Sequence, residues 1–182
     1  MKKIFNKEWT LFLDRDGVIN KKLPNDYVKN TSELVLCEGV IAAIVRLKAH
    51  FGRVLVVTNQ QGIGKGLMTI ADLQIVHQHI NKAVAAYGKG GIDGFYFCPH
   101  LANERCNCRK PAIGMAQQAK KDFPSINFNR SVMIGDSESD MLFAEKTNMY
   151  SAFIKSGYKD VKNKKVNASI YLNSLSDFLT YL

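Results

Sequence analysis

Hydrophobic positions along the chain follow two alternating rhythms: short unbroken apolar runs, and longer segments in which apolar residues return every three or four positions. The short runs predict strands at Thr10–Leu13, Val54–Val57, Phe95–Phe97, Val132–Ile134 and Ala152–Ile154. Val54-Leu55-Val56-Val57 has no polar alternation, which suits a central strand of a parallel sheet covered on both faces. The periodic segments predict helices. Val40, Ile41, Ile44, Val45 and Leu47 share one helical face between Gly39 and His50, with Gly52 as the stop. Thr69 reads as an N-cap, with Asp72 three residues on, for a helix whose Ile70, Leu73, Val76, Ile80 and Val84 line one side up to Gly88, Gly90 and Gly91. Further helices are expected over Ala112–Lys121 and Ser139–Asn148, with a short terminal one over Leu175–Leu182. Strands alternating with helices predict an α/β fold, a mostly parallel central sheet with helices on both faces.

Length adds that 182 residues are close to the usual size of one domain, so a single domain over residues 1–182 is expected. A chain of this size buries roughly 70% of its unfolded surface and needs no disulfide or metal merely to fold. No run reaches the roughly 20 apolar residues of a membrane span, and the stretch from Met1 to Glu8 turns polar too soon for a secretory signal. The expected protein is a cytoplasmic monomer without a membrane partner. Its 25 Lys+Arg against 16 Asp+Glu give a net charge of +9, which favours anionic partners. Much of that excess lies near the ends, at Lys2, Lys3, Lys7, Lys159, Lys162, Lys164 and Lys165, where a solvated face explains it. Trp9, Tyr96 and the phenylalanines do not alternate with basic residues, so they read as core rather than as a platform for nucleic-acid bases.

The polar clusters fall at strand ends, where open α/β sheets place their ligands. Asp14-x-Asp16 follows the first strand directly, with Gly17 letting the backbone bend behind it. Two carboxylates so close repel, unless a divalent cation joins them or one of them keeps a proton. Asp136 and Asp140 follow a second strand, and together these groups suit Mg²⁺, which takes one or two carboxylates, a carbonyl, waters and a substrate phosphate. A carboxylate can also attack phosphorus to form an aspartyl-phosphate. Lys110 and the Thr58 hydroxyl are candidates for neutralising the transferred group. One aspartate after a strand is usually a turn former, but three after matching strands are hard to explain in that way.

A second cluster is Cys98-x-His100 followed by Cys106-x-Cys108, four ligands suited to a closed tetrahedral Zn²⁺ site of structural type. Reduced core cysteines or a disulfide are the alternatives, the latter disfavoured in a cytoplasmic chain. Such an ion would brace the loop over residues 98–108, whose last ligand directly precedes Arg109 and Lys110. Other signals are weak. Gly62-Ile63-Gly64-Lys65-Gly66 fits no phosphate-loop fingerprint and reads as a flexible loop facing substrate. His50, His77 and His79 read as non-functional, and Cys37 as a small buried hydrophobe.

Taken in order, Leu13-Asp14-Arg15-Asp16-Gly17-Val18-Ile19-Asn20, Thr58-Asn59-Gln60-x-Gly62-Ile63, Cys98-Pro99-His100, Cys106-x-Cys108-Arg109-Lys110-Pro111 and Ile134-Gly135-Asp136-x-x-x-Asp140 resemble phosphatases of the haloacid dehalogenase (HAD) superfamily. The resemblance is to the zinc-containing branch acting on heptose bisphosphate or histidinol phosphate, and it spans roughly Leu11 to Ile154. It implies a Rossmann-like HAD domain without a large cap, the zinc-braced loop partly replacing a lid. It further implies Asp14 as nucleophile, Asp16 as general acid and then base, and Thr58 as phosphoryl ligand with Asn59 beside it. Lys110 would bridge phosphate and nucleophile, and Arg109 would reach substrate. Asp14, the Asp16 carbonyl and Asp136 would hold Mg²⁺, with Asp140 supporting, and Cys98, His100, Cys106 and Cys108 would hold Zn²⁺.

The Gly62–Gly66 segment and Pro111-x-x-Gly114-Met115 are similar to the heptose enzymes, whereas the short interval Leu101–Arg105 is similar to the histidinol-phosphate ones. The expected substrate is a small phosphorylated metabolite, D-glycero-D-manno-heptose 1,7-bisphosphate losing its 7-phosphate, with histidinol phosphate as the alternative. More remote alternatives are a nucleic-acid 3′-phosphatase and a zinc-bearing nucleic-acid-binding module, supported only by the charge and the Cys/His cluster.

Overall fold

In the computed structural model, residues 5–88, 90–155 and 166–182 are described; Lys2, Lys3, Lys159, Lys162, Lys164 and Lys165 of the basic ends lie outside them. The described elements in chain order are β1 (Thr10–Leu13), α1 (Val40–His50), β2 (Arg53–Asn59), α2 (Gln61–Gly64), α3 (Ile70–Tyr87), β3 (Gly94–Cys98), α4 (Gly114–Asp122), β4 (Ser131–Gly135), α5 (Glu138–Thr147), β5 (Tyr150–Ile154) and β6 (Ile170–Leu172). A 3₁₀ helix over Leu175–Tyr181 takes the place of the expected terminal α-helix. The strands form one sheet in the order β3-β2-β1-β4-β5-β6, every neighbouring pair parallel. The α/β expectation therefore holds.

Alternation within the strands sorts the core into two layers, because successive side chains point to opposite faces of a sheet. Leu11 and Leu13, Val54 and Val56, and Val132 and Ile134 pack under Val40, Ile44 and Leu47 of α1 and Val76, Ile80 and Val84 of α3. Phe12, Leu55, Val57 and Met133 face the other way, against Met115, Ala116 and Ala119 of α4 and Phe143 and Ala144 of α5. Each such side chain removed from water contributes about 1.5–3 kcal/mol, so both layers help to hold the sheet between its helices. The Thr69 cap is present with its reciprocal partner: the Asp72 amide donates to the Thr69 hydroxyl, and the Asp72 carboxylate accepts from the Thr69 amide.

The sheet also positions the chemistry. Strands 1 to 3 run outward in one direction and strands 4 to 6 in the other, so the order reverses between β1 and β4. At such a reversal the loops leaving the two strands diverge to opposite faces and open a crevice at their carboxyl ends. Asp14 and Asp136 immediately follow β1 and β4 and stand at that crevice.

Two further expectations need correction. Gly62–Gly66 is no loose loop, because residues 61–64 form a helical turn with Gly62 buried. A Cβ at Gly64 would lie 2.8 Å from the Pro99 carbonyl oxygen, so glycine there permits a close backbone contact, the Gly64 N–H donating to that oxygen at 2.9 Å. Cys37 is half-buried rather than buried. Strand β6, not foreseen, extends the sheet beyond β5.

Candidate active site

The loop after β1 is wound tightly around its own backbone. The N–H groups of Val18, Ile19 and Asn20 all point to the Arg15 carbonyl, at 3.3, 2.8 and 3.1 Å, and the Gly17 N–H donates to Asn20 O at 2.7 Å. Gly17 has φ +99°, and a Cβ there would sit 2.0 Å from Asp136 Oδ2. Glycine at this position brings the β1 and β4 loops into contact.

At that contact Asp14, Asp136 and Asp140 each offer a carboxylate oxygen, all within 4.8 Å of one another, and all three residues are buried. Lys110 Nζ reaches Asp14 Oδ1 at 2.7 Å, Asp140 Oδ1 at 2.6 Å and the Val57 carbonyl at 2.7 Å. Lys22 Nζ meets both oxygens of Asp136, at 2.6 and 2.5 Å. Asp140 also closes the cap of α5, accepting from the Ser137 amide at 3.0 Å and its hydroxyl at 2.5 Å.

The electrostatics follow from burial. Burial pushes the Asp14 carboxyl up to about 7, Lys110 opposing and the neighbouring carboxylates adding to the rise. Asp136 is raised too, by burial against the pull of Lys22. Burial disfavours the Lys110 ammonium as well, but Asp14 and Asp140 outweigh it and hold the pKa above its usual value. Three carboxylates with two ammonium groups are short of positive charge, and an all-oxygen donor set of this kind fits a hard divalent cation such as Mg²⁺.

Asp16 stands apart from that triplet and is held by three side chains. Arg15 Nη2 donates to both its oxygens at 2.9 and 3.0 Å, Asn20 Nδ2 to Oδ1 at 2.9 Å and Gln60 Nε2 to Oδ2 at 2.7 Å. Although burial works against the anion, Arg15 and these hydrogen bonds bring the Asp16 pKa below the usual carboxylate value. Thr58, buried at the end of β2, accepts from the same Gln60 amide at 2.8 Å. The Asn59 side chain engages the Lys110 backbone on both sides, accepting from its N–H at 2.9 Å and donating to its carbonyl at 3.1 Å. Its position is that of a clamp on Lys110. Arg109 Nη1 is buried without a hydrogen-bond partner among the described residues, a donor left open for an incoming anion.

The thiols of Cys98, Cys106 and Cys108 are free, and they gather with His100 Nδ1 so that all four ligand atoms lie within 4.8 Å of one another. The Cys98–Cys108 and Cys98–Cys106 sulfurs are 3.0 and 3.4 Å apart, and His100 Nδ1 is 3.1 Å from Cys108 Sγ. One ion about 2.3 Å from sulfur and about 2.0 Å from nitrogen reaches all four, so this soft donor set fits Zn²⁺. Against burial, the Arg109 N–H and the neighbouring thiols lower Cys106 to about 7, toward the thiolate that metal binding requires.

Sequence reasoning did not assign roles to Arg15, Asn20, Lys22 or Gln60, all of which touch predicted site residues. A cavity of about 1020 Å³ opens beside Asp136, lined in part by Lys21, Lys22, Glu38, Asn173 and Ser174. No described helix is long and apolar enough to cross a membrane.

Comparison with known proteins supplies the family. The family described as HAD-hydrolase-like matches residues 107–178. A D-glycero-α-D-manno-heptose-1,7-bisphosphate 7-phosphatase of Mycobacterium tuberculosis is 42% identical over 137 residues, covering 75% of this chain and 72% of its own. The β-anomer counterpart from Helicobacter pylori is 36% identical over 137 residues, covering 75% and 78%. Among solved structures, D,D-heptose 1,7-bisphosphate phosphatase from B. bronchiseptica, complexed with magnesium and phosphate, superposes with a TM-score of 0.82 at 27% identity over 96% of this chain and 99% of that one. These relatives are phosphatases, and the protein is an enzyme of that kind. The chain belongs to the HAD-like hydrolases, in the family of heptose-bisphosphate phosphatases.

Proposed function

We propose that the protein is a Mg²⁺-dependent phosphomonoesterase that removes the 7-phosphate from D-glycero-D-manno-heptose 1,7-bisphosphate through an aspartyl-phosphate on Asp14. The observation that carries the chemistry is the buried Asp14 carboxylate held at 2.7 Å by Lys110 at the reversal point of the sheet. The substrate reading is supported by relatives named for that sugar at 36–42% identity.

An Asp14 oxygen bonds to phosphorus, the bond from phosphorus to the sugar oxygen breaks, and Asp16 gives that oxygen its proton. Asp16 then takes a proton from the water that attacks phosphorus, releasing inorganic phosphate and the free Asp14 carboxylate. Arg15 favours the ionised form of Asp16, and an arriving phosphate dianion shifts the balance back toward the acid. Lys110, Thr58 and Arg109 offset the charge on the phosphoryl oxygens, and Asn59 holds Lys110 in place. Asp14, Asp136 and the Asp16 carbonyl, with Asp140 in support, would hold Mg²⁺, which would supply further charge neutralisation. Cys98, His100, Cys106 and Cys108 hold Zn²⁺ and brace the loop carrying Arg109 and Lys110. The cavity beside Asp136 takes the sugar. The enzyme acts as a monomer in the cytoplasm, where reducing conditions keep the thiols available to zinc.

The test is kcat/KM for each anomer of the heptose bisphosphate against histidinol phosphate with Mg²⁺ present, a ratio that reports differential transition-state binding. A heptose preference of 100-fold or more, about 2.7 kcal/mol, is expected. A preference for histidinol phosphate would reverse the substrate reading and leave the chemistry intact.

Lys22 holds both oxygens of Asp136 and would compete with a divalent cation for them. Lys22→Met is therefore expected to tighten Mg²⁺ binding two- to fivefold, since a half-exposed pair contributes about 0.5–1 kcal/mol. Calorimetric titration of metal-stripped protein checks this, and an unchanged affinity would show that the contact does not compete.

A further inference from the structure

His77 sits on the apolar stripe of α3 with Leu73, Val76, Ile80 and Val84 and is buried with them. Its ring stacks on Phe95, centroids 4.6 Å apart and planes 22° apart, so its orientation is held by packing. Nε2 lies 3.4 Å from Arg15 Nη1. A guanidinium only donates, so His77 is the acceptor here, neutral with its proton on Nδ1. Burial first, and then the Arg15 charge, push its pKa down to about 3, which agrees with that assignment.

Arg15 is itself fully buried. Nη2 spans both oxygens of Asp16, and Nε lies 3.3 Å from Oδ1. His77 therefore occupies the far corner of a fork whose near side fixes the orientation of Asp16. We propose that His77 is a positioning residue that acts through Arg15, holding the guanidinium in the plane from which it orients the Asp16 carboxyl toward the leaving oxygen. This inference rests on the reading of Asp16 as acid and base. Without the acceptor, Arg15 Nη1 is a buried donor with no partner, and the guanidinium turns to find one. Asp16 turns with it.

In kcat/KM, which reports the steps up to departure of the leaving group, a misplaced Asp16 harms only those esters whose leaving oxygen needs a proton; its role as base in the later hydrolysis shows in kcat for every ester. p-Nitrophenolate departs without one, whereas a sugar alkoxide does not. His77→Leu is expected to lower kcat/KM for the heptose bisphosphate by tenfold or more, part of the roughly 10²- to 10⁴-fold that acid–base assistance supplies. On p-nitrophenyl phosphate the loss should stay under about threefold, since acid assistance contributes little there. His77→Gln, whose amide oxygen again accepts from Arg15, should recover most of the lost heptose activity. Should His77→Leu not fold, His77→Phe, which keeps a ring against Phe95 but offers Arg15 no acceptor, should give the same split. Equal losses on the two esters, no loss on either, or a glutamine variant no better than leucine would overturn the proposal. Wild-type protein inactive on both esters would instead overturn the phosphatase reading itself.

Discussion

Asp14→Asn should abolish turnover, by about 10⁴-fold or more, while the protein keeps its fold and its zinc. The amide is nearly isosteric with the carboxyl but is too weak a nucleophile to attack phosphorus. Stability should not fall with activity. Burial pushes the Asp14 carboxyl up to about 7, so its charge is held in the folded protein at a cost that the amide does not carry. Lys110 would still have Asp140 at 2.6 Å and the Val57 carbonyl at 2.7 Å. An unchanged or raised melting temperature with no turnover is therefore expected, as for residues placed for chemistry rather than stability. Turnover within tenfold of wild type would remove Asp14 from the nucleophile's role.

Removing zinc should cost about a hundredfold in turnover without unfolding the sheet, because an ångström of misplacement at a reacting group has an effect of that order. The chain runs directly from Cys108, the last residue of the Cys/His cluster, into Arg109 and Lys110. Lys110 is buried, and it reaches Asp14 only if its backbone stays in the Asn59 clamp. An ion joining Cys98 at the end of β3 to Cys106 and Cys108 would fix where that loop begins. Chelated protein, or Cys108→Ser, should therefore lose turnover while keeping its helical circular dichroism. Added Zn²⁺ should restore activity to the chelated protein and not to the variant. Full turnover in protein shown by elemental analysis to be zinc-free would contradict the bracing role.

Much of this arrangement could be read from the chain because buried parallel strands declare themselves as apolar runs, and the loops after them carry the chemistry. Asp14, Asp136 and Asp140 were legible for that reason, and Cys98, His100, Cys106 and Cys108 by spacing alone. What escaped the reading depends on three-dimensional neighbours. Ile170-Tyr171-Leu172 is a strand of three residues that no helical pattern separates from β5, so only pairing with β5 identifies it. The glycines at 62, 64 and 66 look like a loop, yet two of them serve a packed helical turn. Arg15 reads as a spacer between two aspartates, and no periodicity shows that a guanidinium is fully buried. His77 did leave a signal. Positions 73, 76, 77, 80 and 84 form one helical stripe, and a histidine among its aliphatic residues needs a polar partner.

The central claim is the covalent bond between Asp14 and phosphorus. Asp16→Asn protein, slowed in the hydrolysis of that bond, can be mixed with p-nitrophenyl phosphate and Mg²⁺ and quenched with borohydride, which reduces an acyl phosphate to an alcohol. Mass spectrometry of the peptide spanning residues 10–20 should then find homoserine in place of Asp14. Phosphate release with Asp14 unmodified and homoserine at another carboxylate, or at none, would contradict the account.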